Sequence, residues 1–247
     1  MLPYKEKIIL FVGPISSGKT TQRALLKTWL KNRTNRFVFS FTIPPFAFVT
    51  HFMLDILRKI LILGVKTKVE HVKSGAVAFF ERINPDFLKK TIHILVLIDA
   101  LQLLILTLLI KLLMKFGVLF ILEDYVPVNT VEYEVYLKLY KKTDIKSLLP
   151  LSVLMRILYS SYKNPIICIY LHANKRERLR RSLRRGYSLV DYSTPHDKVR
   201  ESLLCKVSKN FCEKTIIVDN TSLDVRSTFQ TIIKRLNNEY GFSHALA

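Results

Sequence analysis

Short runs of unbroken hydrophobic residues alternate along this chain with longer stretches of mixed pattern. Lys7 to Val12, Val118 to Leu122 and Pro165 to Leu171 are apolar enough to read as strands buried on both faces, whereas a half-exposed strand would alternate. Arg36 to Phe41 (RFVFSF) does alternate, is rich in aromatics and reads as a second strand. Ile43-Pro44-Pro45 ends it, because proline cannot serve a central ladder. Thr215 to Val218 is the last strand. The stretches between carry helical patterns: Thr21 to about Lys31, Phe46 to Leu63, Thr130 to Lys142 as an amphipathic helix, Asp144 to Ser160, Asn174 to Arg185, His196 to Cys212, and a final helix to about Tyr240. Lys66 to Lys73 is a basic connector and Gly186 to Pro195 a loop. Strands alternating with helices predict a parallel α/β sheet flanked by helices, and residues 1–247 show no linker or internal repeat that would divide them.

Thr91 to Lys115 is the most apolar segment, and its length suits a membrane span. It contains His93, Asp99, Gln102 and Lys111, and charge near a bilayer centre is costly. A helix buried on nearly all faces, partly by a dimer partner, explains the same composition, and that reading is preferred. Gly117 is placed to end it.

Composition sharpens the picture in two respects. Among 247 residues the formal net charge is +20, a surface that attracts polyanions or suits phosphorylated small molecules. No stripe of aromatics interleaved with Lys and Arg accompanies the charge, which counts against a nucleic-acid partner. The three cysteines, Cys168, Cys205 and Cys212, form no CxxC pair. Cys168 reads as a buried free thiol, and an odd count with no leader before the first strand fits a reducing cytoplasm.

The stretch Gly13-Pro14-Ile15-Ser16-Ser17-Gly18-Lys19-Thr20, between a strand and a helix, is the G-x-x-x-x-G-K-[ST] phosphate loop in the context it requires. Its glycines let the backbone wrap an anion, and its N–H groups and the helix N-terminus point at phosphates. Gly13, Ser16, Ser17, Gly18, Lys19, Thr20 and Thr21 are therefore the expected ATP-binding residues, with the Thr20 hydroxyl on Mg²⁺. Glu123-Asp124 follows the third strand, at the sheet end where ligands bind, and supplies a carboxylate for the metal. Alternation along a strand implies that only one of the two faces it. Arg176, Arg178, Arg180, Arg181, Arg184 and Arg185 precede Gly186. Arg181 and Arg185 lie one turn apart and can neutralise charge in a transition state, while most of the others read as a solvated face.

Thr20-Thr21-Gln22 after Gly18-Lys19 resembles the GKTTQ start of thymidylate kinases. Leu97-Ile98-Asp99-Ala100-Leu101-Gln102 resembles the family's A-D-R-A-Q helix, Glu123-Asp124-Tyr125 its D-R-Y, and Arg181-Ser182-Leu183-Arg184-Arg185-Gly186 its R-x-x-x-R-G lid. Ile216-Ile217-Val218-Asp219 resembles its last strand. The resemblance implies a P-loop nucleoside monophosphate kinase fold with a five-stranded parallel sheet and a lid at about 181–195. It implies ATP and Mg²⁺ as cofactors and transfer of the γ-phosphoryl group to a nucleoside monophosphate, thymidylate first. Lys19, Glu123, Arg181 and Arg185 are then the catalytic residues, Thr20, Glu123 and Asp124 the metal side, and Asp99, Gln102, Tyr125 and Tyr133 the acceptor side. Glu123 takes the metal-linked position. The acceptor is expected between the Pro44-Pro45 loop, the Thr91–Lys115 helix and the Tyr125–Tyr133 segment.

The departures fall on the acceptor side. The D-R-Y arginine, a phosphate contact, is Asp124 here. The arginine that reads the thymine edge is Ala100. The R-E-P segment is replaced by Thr42-Ile43-Pro44-Pro45. A regulatory ATP-binding protein with a basic partner-binding surface is the alternative these losses favour, while Lys19 and the lid arginines favour an enzyme.

Overall fold

A computed structural model describes residues 8–43, 52–53, 56, 85–136, 166–186 and 195–240. Five parallel strands form one sheet in the order β2-β3-β1-β4-β5. They are β1 (Ile8–Val12), β2 (Val38–Thr42), β3 (Leu119–Glu123), β4 (Ile166–His172) and β5 (Lys214–Asp219). The described helices are α1 (Lys19–Lys31), α2 (Pro85–Lys115), α3 (Val126–Tyr136), α4 (Lys175–Arg184), α5 (Pro195–Phe211) and α6 (Val225–Tyr240). The expected strands and the alternation with helices are all present.

The unbroken apolar character of β1 has a plain cause. Ile8, Leu10 and Val12 enter one core layer with α2, α3 and α5, while Ile9 and Phe11 enter the other with α1 and α6. Both faces of the strand are dry, so no polar position is tolerated. The order of the strands puts β1 at the centre, between β3 and β4. Phe11 and Thr42 are both level with Glu123, so the carboxyl ends of β1, β2 and β3 meet at one height. That edge is where a parallel sheet receives ligands.

Three expectations are corrected. The helix read over Thr91 to Lys115 begins at Pro85, a residue preorganised for a first helical turn. It is not buried on nearly all faces: Leu95, Val96, Ala100, Leu103, Ile110 and Met114 are inside, while Ile94, Leu97, Leu101, Ile105, Leu108 and Leu112 are exposed. Ile94–Lys115 is long and apolar enough to cross a bilayer, with a mean hydropathy of 2.4 and 39% of its most apolar window buried. Its inner face nonetheless packs in the core layer against β3 and carries buried Asp99. As expected, Gly117 ends the helix, with φ +83°, while its N–H and that of Val118 bond to the carbonyls of Met114 and Leu113.

The second correction concerns α3. It starts at Val126, with Pro127 in its first turn, and from Val126 to Val135 every residue save Glu134 is buried, so it has no solvated face there. The third concerns cysteine. Cys168 on β4 is buried but not free: it is joined to Cys212, just past α5, with Cα atoms 5.9 Å apart. Packing of α5 across β4 brings together residues 44 apart in sequence, which spacing alone does not reveal. Cys205 is the free thiol. The Pro44-Pro45 loop, the Lys66–Lys73 connector, the Asp144–Ser160 helix, the end of the Thr130–Lys142 helix past Tyr136 and positions 187–194 of the expected lid lie outside the described residues. So does most of the Phe46–Leu63 helix, of which Phe52, Met53 and Ile56 are helical.

Candidate active site

The phosphate loop is built on close packing. Gly13 has φ +152°, and a Cβ there would lie 2.2 Å from the carbonyl oxygen of Leu171 on β4. Only glycine fits between the loop and its neighbour strand. Gly18, with φ +95°, begins α1 without a side-chain cap, so the first N–H groups of the helix are left for a ligand. Ser16 takes a left-handed conformation at φ 60°, and the buried Ser17 hydroxyl has no hydrogen-bond partner among the described residues. Thr21 lies half-buried in the first turn of α1. Lys19 folds back over the loop, its Nζ donating to the carbonyls of Gly13 at 2.9 Å and Pro14 at 3.1 Å. That posture holds the ammonium at the concave side of the loop, where phosphate oxygens compete for it.

The acids of β3 meet this loop. Thr20 Oγ1 donates to Glu123 Oε1 at 2.8 Å, and Thr42 Oγ1 donates to Glu123 Oε2 at 3.1 Å. Arg23 Nε stands 3.1 Å from Glu123 Oε2. The expectation that alternation turns only one of the two acids toward the site fails. The strand ends at Glu123, and Asp124 turns left-handed at φ 53°, which frees it from the pleat. Its Oδ1 lies 3.6 Å from Lys19 Nζ, buried and with no hydrogen-bond partner among the described residues. Burial raises the Asp124 carboxyl above the ordinary range, against the pull of Lys19 and Arg200.

These residues fit Mg²⁺. Among the described residues no group of three or more His, Cys, Asp or Glu could hold a metal by side chains alone. A hydroxyl hydrogen-bonded to a carboxylate, beside a phosphate loop, is instead the small oxygen set that Mg²⁺ shares with nucleotide phosphates and water. Thr20 and Glu123 would hold it, with the orphan Asp124 oxygen alongside.

On the opposite rim, Asn174 caps α4, its side chain accepting from Glu177 N–H at 2.8 Å. Two turns along, Arg181 donates from Nε to Glu177 at 2.9 Å, from one terminal nitrogen to the Asn220 carbonyl at 2.8 Å, and from the other to Asn220 Oδ1 at 3.3 Å. Asn220 Nδ2 in turn donates to the Ser17 carbonyl at 2.7 Å. Arg181 is thereby wired to the phosphate loop through the turn after β5. Arg185 is not: α4 stops at Arg184, and Arg185 is exposed at its C-cap.

The acceptor-side residues form a separate, buried cluster. Tyr133 on α3 donates to Asp99 Oδ2 on α2, and Gln102 Nε2 reaches Asp99 Oδ1 at 3.4 Å. Burial, reinforced by Asp99, pushes the Tyr133 phenol well up. Tyr125 faces elsewhere, its hydroxyl 3.0 Å from Thr107 Oγ1. Ala100 is buried in the apolar layer.

Sequence reasoning missed Arg23, Glu132, Arg200 and Asn220, and took Arg178 for one of a solvated run. Arg178 is fully buried, donating to the Ala173 carbonyl at 3.1 Å and to Glu201 at 2.6 Å. Arg200 is buried in an ion pair with Glu132. Only the absence of Lys at these positions hints at such burial, since arginine keeps its charge and fork geometry inside a protein.

No family model and no curated protein sequence matches the chain. Solved structures do. Thymidylate kinase from Candida albicans, an enzyme of broad substrate specificity, superposes with a TM-score of 0.60 at 14% identity, over 95% of this chain and 92% of that one. Deoxyadenosine kinase from M. mycoides, with bound dATP, gives 0.57 at 16% identity over 93% and 99%. The same enzyme with bound dCTP gives 0.53 at 17% identity over 94% and 99%. The fold implied by the GKTTQ-like start is thus the fold found: this chain is built as the P-loop nucleoside and nucleotide kinases are, with the phosphate loop after the central strand of a five-stranded parallel sheet.

Proposed function

We propose that the protein transfers the γ-phosphoryl group of ATP to a nucleoside-type acceptor. The observation that carries this reading is the hydrogen bond from Thr20 to Glu123, which joins the end of the phosphate loop to the acid of β3. Bound Mg²⁺ would neutralise phosphate charge. Lys19 would exchange its two loop carbonyls for phosphate oxygens, and Arg181 would hold the rim of the site to the turn at Asn220. Phosphoryl transfer asks a protein mainly for position and countercharge, which these groups supply. Thymidylate is the acceptor the resemblance names, and Ala100 and Asp124, standing where that family has arginines, count against it.

The test is ADP formation with ATP and Mg²⁺ across a panel of nucleosides and monophosphates, for the wild type and Lys19→Ala. Acceptor-dependent turnover that disappears with Lys19 supports the reading, while ATP binding without turnover returns weight to a regulatory role. We further propose a homodimer through the exposed stripe of α2, checked by sedimentation, and recovery of the protein without detergent.

A further inference from the structure

The phosphate-loop signature ends at Thr20, yet the helix it opens sends a second polar residue to the acid of β3. Thr20 and Arg23 lie three apart on α1 and so share a face of the helix. Thr20 Oγ1 donates to Glu123 Oε1 at 2.8 Å, and the Arg23 guanidinium lies against the other oxygen, its Nε 3.1 Å from Glu123 Oε2. That contact is an ion pair without the alignment of a hydrogen bond. The aligned bond of the guanidinium runs to β2, where Nη1 donates to Ser40 Oγ at 3.2 Å. Thr42, two residues on and therefore on the same face of β2, donates to Glu123 Oε2 at 3.1 Å. The Arg23 side chain is 14% exposed and that of Glu123 5%, so solvent ions screen the pair poorly.

The two acids after β3 thus each face one cation from the start of α1. Asp124 is 3.6 Å from Lys19, and Glu123 is 3.1 Å from Arg23. The two cations differ. Lys19 rests on loop carbonyls at the end of a flexible stem and is the group that phosphates compete for. Arg23 is lodged between α1, β2 and β3, and a guanidinium does not give up its proton. The charges of these four groups cancel, so they offer a bare divalent cation little attraction, and Arg23 repels it across the carboxylate. Nucleotide alters the balance, because its phosphates bring negative charge and draw Lys19 to themselves.

We propose that Arg23 is a positioning residue of the metal site: it holds the Glu123 carboxylate in place and offsets its charge, so that Mg²⁺ is taken up only together with nucleotide. The proposal rests on the reading above that ATP and Mg²⁺ meet at this loop, and not on which acceptor receives the phosphoryl group.

The experiment measures binding of Mn²⁺, followed as loss of the free-ion paramagnetic resonance signal, with and without a non-hydrolysable ATP analogue. It uses the wild type, Arg23→Met, Arg23→Gln, Arg23→Lys, and Arg23→Met combined with Glu123→Gln. Met and Gln both remove the charge, and Gln still has a donor for Ser40, so one of them can keep the local packing if the other does not. The wild type is expected to bind Mn²⁺ about tenfold or more tightly with the analogue than without it. Both neutral variants should bind Mn²⁺ without nucleotide about tenfold or more tightly than the wild type does. Arg23→Lys, which keeps the charge, should not show this gain, and adding Glu123→Gln to Arg23→Met should remove it. A damaged fold does not produce a gain of affinity. No gain in either neutral variant, an equal gain in Arg23→Lys, or a wild type that binds Mn²⁺ as well without the analogue as with it overturns the proposal and leaves the kinase reading standing. Failure of the wild type to bind Mn²⁺ even with the analogue overturns both.

Discussion

The two groups of residues expected to form the donor and acceptor halves of the site are built differently. The donor half is a set of short links between distant parts of the chain: Thr20 to Glu123, Asn220 to Ser17 and Arg181 to Asn220. Its groups converge on one concave loop and leave N–H groups facing it. The acceptor half spends its polar groups on one another: Asp99 on Tyr133 and Gln102, Tyr125 on Thr107, Arg200 on Glu132. The lesson is that residues of the right type in the right order do not make a site. Asp99, Gln102 and Tyr133 are brought together as expected, yet their hydrogen-bonding capacity is largely committed to the core between α2 and α3.

The most severe way to break the donor half is Lys19→Ala. It is expected to lower turnover by about three orders of magnitude or more, since it removes the charge that meets the transferring phosphates. Next is Glu123→Gln, which keeps the hydrogen bond from Thr20 but not the charge. A loss of about a hundredfold in kcat, with a higher Mg²⁺ requirement, is expected, and a titration of rate against Mg²⁺ checks it. The loss should exceed that of Asp124→Asn.

The two arginines expected in the lid, Arg181 in α4 and Arg185 at its C-cap, offer a sharper contrast. Arg181→Ala should lower kcat by about tenfold to a thousandfold, because it removes both a cation and the tie to Asn220. Arg185→Ala, at the exposed end of α4, should change kcat by less than about threefold. Equal losses would show that Arg185 also reaches the site.

The smallest effect on chemistry is expected on the acceptor half. Tyr133→Phe leaves the Asp99 carboxylate buried without that donor and should cost about 1–3 kcal/mol of stability, read by denaturant unfolding, with ATP affinity unchanged. A fall in ATP affinity would join the two halves that the geometry keeps apart.

Much of the donor half was legible because it is local or periodic. The phosphate loop is contiguous, and β1 and β3 announce themselves as doubly buried apolar runs. The acid after β3 is found by counting from the strand. What was not legible depends on which side of a helix meets the core. Arg178 looks like its neighbours in a basic run, and only the fold buries it. The outer face of α2 carries leucine and isoleucine as densely as the inner one, so composition suggests burial on both. Asp124 escapes the alternation because its left-handed turn ends the strand at Glu123, one residue past the apolar run.

The central claim is that this phosphate loop moves a phosphoryl group rather than merely holding ATP. ATP labelled in its γ-phosphoryl group, incubated with Mg²⁺, protein and a nucleoside panel, tests it most directly. The account predicts that label appears covalently on an acceptor with the wild type and not with Lys19→Ala. Label that stays in ATP, or leaves only as inorganic phosphate whatever the acceptor, would contradict it.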